Sequence, residues 1–317
     1  MKIQYQDLRF GGDALETIAQ ANRIIAEFEA RGVYVTLRQV YYQFVARGLT
    51  GGRNEQKIYK RLGDVLNRGR LAGLISWQAM EDRTRNLESR PSWFTTGEFM
   101  GDVPHWFHRD LWDNQPYRVI FGIEKDAGVG TIAGVCHEND CPYISCRGYL
   151  SQSEAWRLGR KMEEWIDRGQ RVVFGYLGDH DPSGKDMTRD LRERLSMFCG
   201  HEIDVRRLAL NMDQVETYNP PPNPVKLTDS RAGVRRADGT YTPGSYRETQ
   251  RRAGYDPDTC WEMEALSPIT VIELVQELVD EFRDPVRWNE AVDRQEELRS
   301  RIIAFTDGYE QQLDEEG

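Results

Sequence analysis

Two aspartates one residue apart, Asp179 and Asp181, follow the apolar run Val172, Val173, Phe174, Tyr176 and Leu177 and precede Pro182-Ser183-Gly184. The run reads as a buried strand, and the Pro-Ser-Gly turn as the opening of a helix. In extended chain, residues i and i+2 project to one side, so both carboxylates can aim at one point while His180 points away. Two anions held together repel unless a positive group stands between them, and a hard divalent cation is the usual answer. A second apolar run, 117–123, ends in Glu124-Lys125. If the two strands are parallel neighbours, Glu124, Asp179 and Asp181 gather at the carboxyl edge of one sheet, where open α/β sheets place their sites. The expectation is a three-carboxylate magnesium site. Glu262 and Glu264, in the stretch WEMEAL, could add a ligand, touch a substrate, or lie on a solvated strand edge.

The elements that must position these acids follow from periodicity. Strand and helix signals alternate: strand 117–123, helix 128–138, strand 143–147, helix 151–168, strand 171–177, helix 184–198 and strand 203–210. Such alternation argues for a mostly parallel sheet with helices on both faces. Upstream, residues 13–30 carry a helical period that stops at Arg31-Gly32. Thr36 and Gln39 have capping-box spacing, and Leu37, Val40, Tyr41, Phe44 and Val45 form one apolar stripe. Tyr41 lies on that stripe. Tyr42 lies off it, one turn after Arg38, so a phenol and a guanidinium share one side of the helix.

Residues 48–52 read as a turn and 54–68 as a third helix. Its apolar side is Ile58, Leu62, Val65 and Leu66, while Lys57, Lys60, Arg61 and Arg68 face outward. Residues 71–77 read as a short strand and wing before the charged stretch 81–85. Helix, turn, basic helix and wing suggest a winged helix, with a plain helical bundle as the alternative. Residues 88–116 lack a clear period and read as a connection; 211–254 read as a long loop. Ser267-Pro268 opens an amphipathic helix to about 282, a last helix spans roughly 285–305, and Asp314-Glu315-Glu316 form an acidic tail.

The net charge of −10 conceals an uneven distribution. Residues 31–70 hold nine Lys and Arg against Glu55 and Asp64, a local +7 that leaves −17 elsewhere. A concentrated basic segment on an acidic chain is a possible nucleic-acid footprint, and otherwise a solvated helix face. No apolar run approaches the roughly 20 residues of a spanning helix, and the N-terminal stretch has no apolar signal region. Five cysteines, an odd number, fit reduced thiols. An intracellular protein is expected, with no membrane partner.

Glu124-Lys125-Asp126-Ala127 and Asp179-His180-Asp181-Pro182-Ser183-Gly184 resemble the Toprim domain of the topoisomerase VI A subunit and of the meiotic double-strand-break transesterase. Thr36-Leu37-Arg38-Gln39-Val40-Tyr41-Tyr42 resembles the winged-helix segment of that family, whose nucleophilic tyrosine is the second of two aromatics. Arg147-Gly148-Tyr149 resembles its glycine turn. The resemblance covers about residues 30–200 and is greatest to small stand-alone A-type proteins of mobile elements. It implies a winged-helix (CAP-like) domain over 1–100, a Toprim domain with a mostly parallel sheet over 115–282, and a C-terminal helix and acidic tail over 283–317. It also implies a reaction. Tyr42 attacks a phosphate of double-stranded DNA to form a 5′-phosphotyrosyl link, Arg38 steadies the phosphate, and Glu124, Asp179 and Asp181 hold magnesium, or manganese in its place. Lys125 and Asp186 support these acids, and Lys57, Lys60, Arg61 and Arg68 contact DNA. In that family the tyrosine of one protomer works with the metal of its partner, so a homodimer follows, served by a separate ATPase (B-type) subunit in a nucleoid-associated, cytoplasmic setting.

Two other functions stay open on the same residues: a hydrolytic Toprim-type nuclease, and a DNA-binding module without catalysis. Three decoys are set aside. Gly178 to Lys185 imitates a phosphate loop, but the glycine spacing is wrong and Asp186 stands where a hydroxyl would bind magnesium. Gly128-Val129-Gly130 with Ala133 imitates a dinucleotide fingerprint without a ribose-binding acid in the right place. Cys136, His137, Cys141 and Cys146 match no common zinc spacing.

Overall fold

The computed structural model describes residues 2–51, 53–80 and 90–316, with side chains to 308. Three helices begin the chain: α1 (Gly12–Glu29), α2 (Leu37–Ala46) and α3 (Gln56–Leu71). The expected capping box forms. Gln39 N donates to Thr36 Oγ1 at 3.2 Å and Thr36 N donates to Gln39 Oε1 at 2.8 Å, satisfying two amides that a helix start leaves unpaired. Ile18, Ile24, Ile25 and Phe28 of α1 meet Val40, Tyr41 and Phe44 of α2 and Leu62 and Leu66 of α3 in one core. Each fully buried side chain of this kind contributes about 1.5–3 kcal/mol over leaving it in water.

After α4 (Thr96–Trp106) comes the α/β alternation: β1 (Tyr117–Ile123), α5 (Asp126–Glu138), β2 (Tyr143–Ser145), α6 (Gln152–Asp167), β3 (Arg171–Leu177), α7 (Pro182–Cys199) and β4 (Asp204–Ala209). The four strands pair in the order β2-β1-β3-β4, all parallel. β1 and β3 are buried almost throughout, as parallel strands covered on both faces must be. Alternate residues separate two cores. Val119, Phe121, Ile123, Val173 and Leu177 pack with Ile132 and Val135 of α5, while Ile120, Val172, Phe174 and Tyr176 pack with Met162 of α6 and Leu191 and Leu195 of α7.

The chain continues through α8 (Met212–Tyr218), β5 (Asn223–Pro224), α9 (Tyr246–Arg252), β6 (Thr259–Cys260) and a 3-10 turn at Met263–Ala265. It ends in α10 (Pro268–Phe282), whose Val271, Val275, Leu278 and Val279 complete the core of α5, and α11 (Pro285–Glu316). Ser267 caps α10 as expected, accepting from Ile269 N. All five cysteines are free and buried. Among the described residues, no helix is long and apolar enough to cross a membrane.

Several expectations need correction. Residues 71–77 form no strand: α3 runs to Leu71, Ala72 makes one antiparallel bridge to Gln4, and Gly73 turns the chain at φ 71°. A lone bridge leaves no ladder, and the charged stretch 81–85 lies outside the described residues. The connection 88–116 contains α4, whose period Gly97, Gly101 and Pro104 obscure. The segment 211–254 is not one loop but carries α8 and α9, each seven residues long and too short to show a period. The last helix continues past 305 through the acidic residues 314–316.

Candidate active site

Register brings the acids together. Ile123 of β1 stands opposite Leu177 of β3, so the residues that follow leave the sheet side by side, and Glu124 N still donates to Leu177 O at 2.8 Å. With strand order β2-β1-β3-β4, the gap between β1 and β3 is where the winding of the sheet reverses, the crevice that open α/β folds use for ligands. A backbone amide holds one oxygen of each acid. Asp179 N donates to Glu124 Oε2 at 2.9 Å, Met263 N to Asp179 Oδ1 at 2.9 Å, and Gly184 N to Asp181 Oδ1 at 2.6 Å. Asp181 thereby caps α7. The glycine at 184 is required by close approach: a Cβ there would run into the Asp179 carbonyl and come within 3.1 Å of Glu124 Oε2.

Burial sets the electrostatics of this crevice. Glu124 and Asp179 are only 8% and 5% exposed. Burial, then the neighbouring Asp179, pushes the Glu124 carboxyl up to about 7, and burial raises Asp181 as well. The Lys125 ammonium answers Asp179, lying 2.6 Å from Oδ2. His180 does turn away, as the alternation requires. Its Nδ1 lies 3.1 Å from Leu210 O, its ring meets Tyr246 and Trp261 edge-on, and burial lowers it to about 4, so it is neutral.

The tyrosine side joins the same cluster. Arg38 Nη2 donates to Glu262 Oε1 and Oε2 at 2.8 and 2.6 Å, and its Nε lies 3.2 Å from Glu264 Oε2. Lys125 Nζ reaches Glu262 Oε2 at 3.3 Å and Glu264 Oε2 at 3.8 Å. The Arg38 guanidinium stands 5.9 Å from the centre of the Tyr42 ring, and Tyr42, Arg38 and Glu262 line one cavity. A chain of ion pairs therefore runs from Arg38, beside the Tyr42 ring, through Glu262 and Lys125 to Asp179, within one molecule.

Two expectations change here. Tyr42, off the apolar stripe, is nonetheless only 3% exposed and belongs to the core of the helical start, its ring 5.7 Å from that of Tyr41; burial, then Glu262, raises its phenol. Glu262 and Glu264 are not a solvated edge: their side chains are 22% and 3% exposed and paired with cations. Tyr41 is core, with its hydroxyl 3.0 Å from Asn54 Oδ1. Beside Tyr42 opens a cavity of about 200 Å³, lined in part by Arg38, Tyr59, Asn223 and Glu262.

Lys57, Lys60, Arg61 and Arg68 are exposed on α3, as expected. Arg68 donates to Arg9 O at 3.3 Å and stacks 5.1 Å from the Phe10 ring, so part of its cation is already engaged. Asp186 does not back the acids. It accepts from Tyr149 Oη at 2.6 Å, Arg189 Nε at 2.8 Å and Arg231 Nε at 2.9 Å, and these donors, against the push of burial, hold it down to about 2.

Sequence reasoning missed Arg207. From β4 it donates to Gly178 O at 3.0 Å, Gly184 O at 2.7 Å and Thr188 Oγ1 at 3.0 Å, and also to Asp179 O, clamping the loop that bears both aspartates. The paired Arg206-Arg207 in an alternating strand was the available signal, since one of two neighbours must turn inward.

The acids suit a hard cation in donor chemistry: all oxygen, with a second oxygen on each carboxylate left over from its amide bond. Among the described residues no group of three or more such side chains stands in ligand-like geometry, and the Lys125 ammonium holds the Asp179 oxygen that a cation would take. Compared with family models, curated proteins and solved structures, the chain matches none.

Proposed function

We propose that this protein cleaves double-stranded DNA by transesterification, with Tyr42 as nucleophile and magnesium at Glu124, Asp179 and Asp181. The observation that carries the reading is the chain of ion pairs from Arg38, beside the Tyr42 ring, through Glu262 and Lys125 to Asp179. It supports a single site built from the two halves that the resemblance to the winged-helix and Toprim family singles out. Bound magnesium would neutralise charge developing on the phosphate oxygens. Arg38, half-exposed and already over the Tyr42 ring, orients the phosphate. Glu124, titrating near neutrality, can exchange a proton in the crevice. The exposed cations Lys57, Lys60 and Arg61 on α3 supply phosphate contacts of the kind that weaken with salt. A second copy of the chain would supply the tyrosine for the opposite strand.

A hydrolytic nuclease is the second reading, favoured by one observation: the Tyr42 phenol is buried and raised, whereas Glu124 is poised to activate water. Incubation with supercoiled plasmid and magnesium, stopped with detergent and split with or without protease, separates them. Transesterification gives cleaved DNA that enters a gel only after proteolysis, and Tyr42→Phe abolishes the adduct while DNA binding persists. Protein-free cleaved ends that survive Tyr42→Phe would select the nuclease.

A further inference from the structure

Arg207 differs from its neighbour in what it holds. Arg206 turns outward to Asp204 Oδ2 at 2.9 Å and Glu281 Oε1 at 2.6 Å, an ordinary surface pairing. Arg207 instead directs its donors to the backbone around the acids. Its Nη2 donates to Gly178 O at 3.0 Å and to Asp179 O, its Nη1 to Gly184 O at 2.7 Å and Thr188 Oγ1 at 3.0 Å, and its Nε to Leu210 O at 3.3 Å. A trans peptide unit is planar, so its carbonyl and amide point in opposite directions and fixing one aims the other. The unit of Gly178 O carries the Asp179 amide, which donates to Glu124 Oε2 at 2.9 Å. The unit of Asp179 O carries the His180 amide, which donates at 2.8 Å to Trp261 O, two residues before the Met263 amide that holds Asp179 Oδ1. The unit of Gly184 O carries the Lys185 amide, which donates to Asp181 O at 3.0 Å beneath the Asp181 cap of α7. One guanidinium therefore reaches the surroundings of all three acids through the backbone. We propose that Arg207 is the positioning residue that holds Glu124, Asp179 and Asp181 in place for one divalent cation.

The assignment rests on the magnesium site proposed above and deepens it. A cation that must order a loose loop as it binds loses affinity to the entropy of that ordering. Three neighbouring carboxylates would also repel one another and spread the loop in the absence of a cation. Arg207 orders the loop beforehand, because its contacts join the end of β3, the first turn of α7 and the residue after β4 without engaging any carboxylate oxygen among the described residues. A charged donor on a carbonyl also polarises the peptide unit and strengthens the bond made by the amide on its far side. The shape of the side chain matters as much as its charge. A guanidinium presents five donors in a rigid plane, whereas an ammonium is a compact point charge with three. Lysine at 207 would keep the charge behind the acids and lose the simultaneous hold on separate carbonyls.

Arg207→Lys and Arg207→Met test the assignment, with Arg206→Met as the control that removes a neighbouring arginine facing away from the acids. The first measurement is amide hydrogen exchange in the metal-free protein. Loss of a hydrogen bond to a charged group should speed exchange at Asp179 and Gly184 by roughly 10–100-fold in both Arg207 variants. The amides of Phe121 in β1 and Phe174 in β3 should stay as protected as in wild type, which also shows that the variants fold. Unchanged exchange at Asp179 would overturn the proposal whatever the protein does with metal. The second measurement titrates manganese alone and follows the loss of the free-ion paramagnetic resonance signal. Residues that orient metal ligands typically change affinity by about 10–100-fold, so both Arg207 variants should weaken manganese binding by that factor and Arg206→Met should not. Equal affinity in Arg207→Lys and wild type would mean that charge alone matters and would overturn the positioning role. If wild type binds no manganese while exchange at Asp179 still responds to Arg207, the magnesium reading fails, and the role assigned to Arg207 falls with it.

Discussion

Glu124 is the residue whose chemistry the fold changes most. Burial first and Asp179 next lift its carboxyl to about 7, against roughly 4.3 in an unfolded chain. Between those values the folded protein holds a proton that the unfolded chain has released. Stability therefore falls as pH rises from about 4.5 to 7, and above the folded value the contribution is gone. Replacing Glu124 with Gln removes the penalty. In chelator at pH 8, Glu124→Gln should be more stable than wild type by roughly 1–3 kcal/mol, and near pH 4 the two should coincide. Urea unfolding at both values reads this directly. Magnesium should then raise the wild-type midpoint and leave that of the variant unchanged. A wild type that is the more stable of the two at pH 8 without metal would mean that Lys125 already compensates the whole cluster.

At the scale of elements, α2 decides whether the tyrosine reaches the acids. Its capping residue does double duty, since Gln39 Nε2 also donates to Thr131 Oγ1 of α5 at 2.8 Å, a contact buried between the helical start and the sheet. Gln39→Ala removes half of the capping box and leaves Thr131 without that donor. The expected cost is about 1–2 kcal/mol, read as a lower denaturant midpoint with an unchanged slope. Thr131→Val, which breaks only the tether, should cost less. The box was legible in the sequence because its two residues stand only three apart, and so was a mostly parallel sheet from the strand–helix alternation; that β1 and β3 are neighbours entered only as a condition, which their register supplies. What escaped was long-range or short-lived in period. Arg38 and Glu262 are 224 residues apart, and no spacing rule connects them. The burial of Tyr42 comes from its place in the helical core, which the one-stripe reading of α2 did not include. Helices α8 and α9 are shorter than the window over which a period can be read, and the expected strand at 71–77 found no partner to pair with.

For the whole molecule the open choice is which chain's acids serve which tyrosine. The family resemblance implies that a tyrosine works with its partner's metal, whereas here Arg38 stands over the Tyr42 ring and is joined through Glu262 and Lys125 to Asp179 of the same molecule. Each link from Arg38 to Asp179 is a hydrogen bond or ion pair, the side chains of Arg38, Lys125 and Glu262 being 41%, 32% and 22% exposed and that of Asp179 7%. Separating Tyr42 from its own acids would leave Glu262 and Glu264 facing Lys125 alone after losing Arg38, with Glu264 still 3% exposed, and a buried carboxylate stripped of its cation is costly. The same-chain arrangement is therefore the one this network favours, and mixing experiments distinguish it from exchange between protomers. On the proposed reaction Tyr42→Phe would lack the nucleophile and Glu124→Gln a metal acid, so each alone should form no adduct. If tyrosine and acids act in one chain, refolding or co-expressing the two together should leave every site defective and adduct formation absent. If they act across a dimer, a mixed dimer keeps one intact pair, and nicked DNA carrying one protein molecule should appear at up to about half the wild-type dimer frequency expected from random assortment.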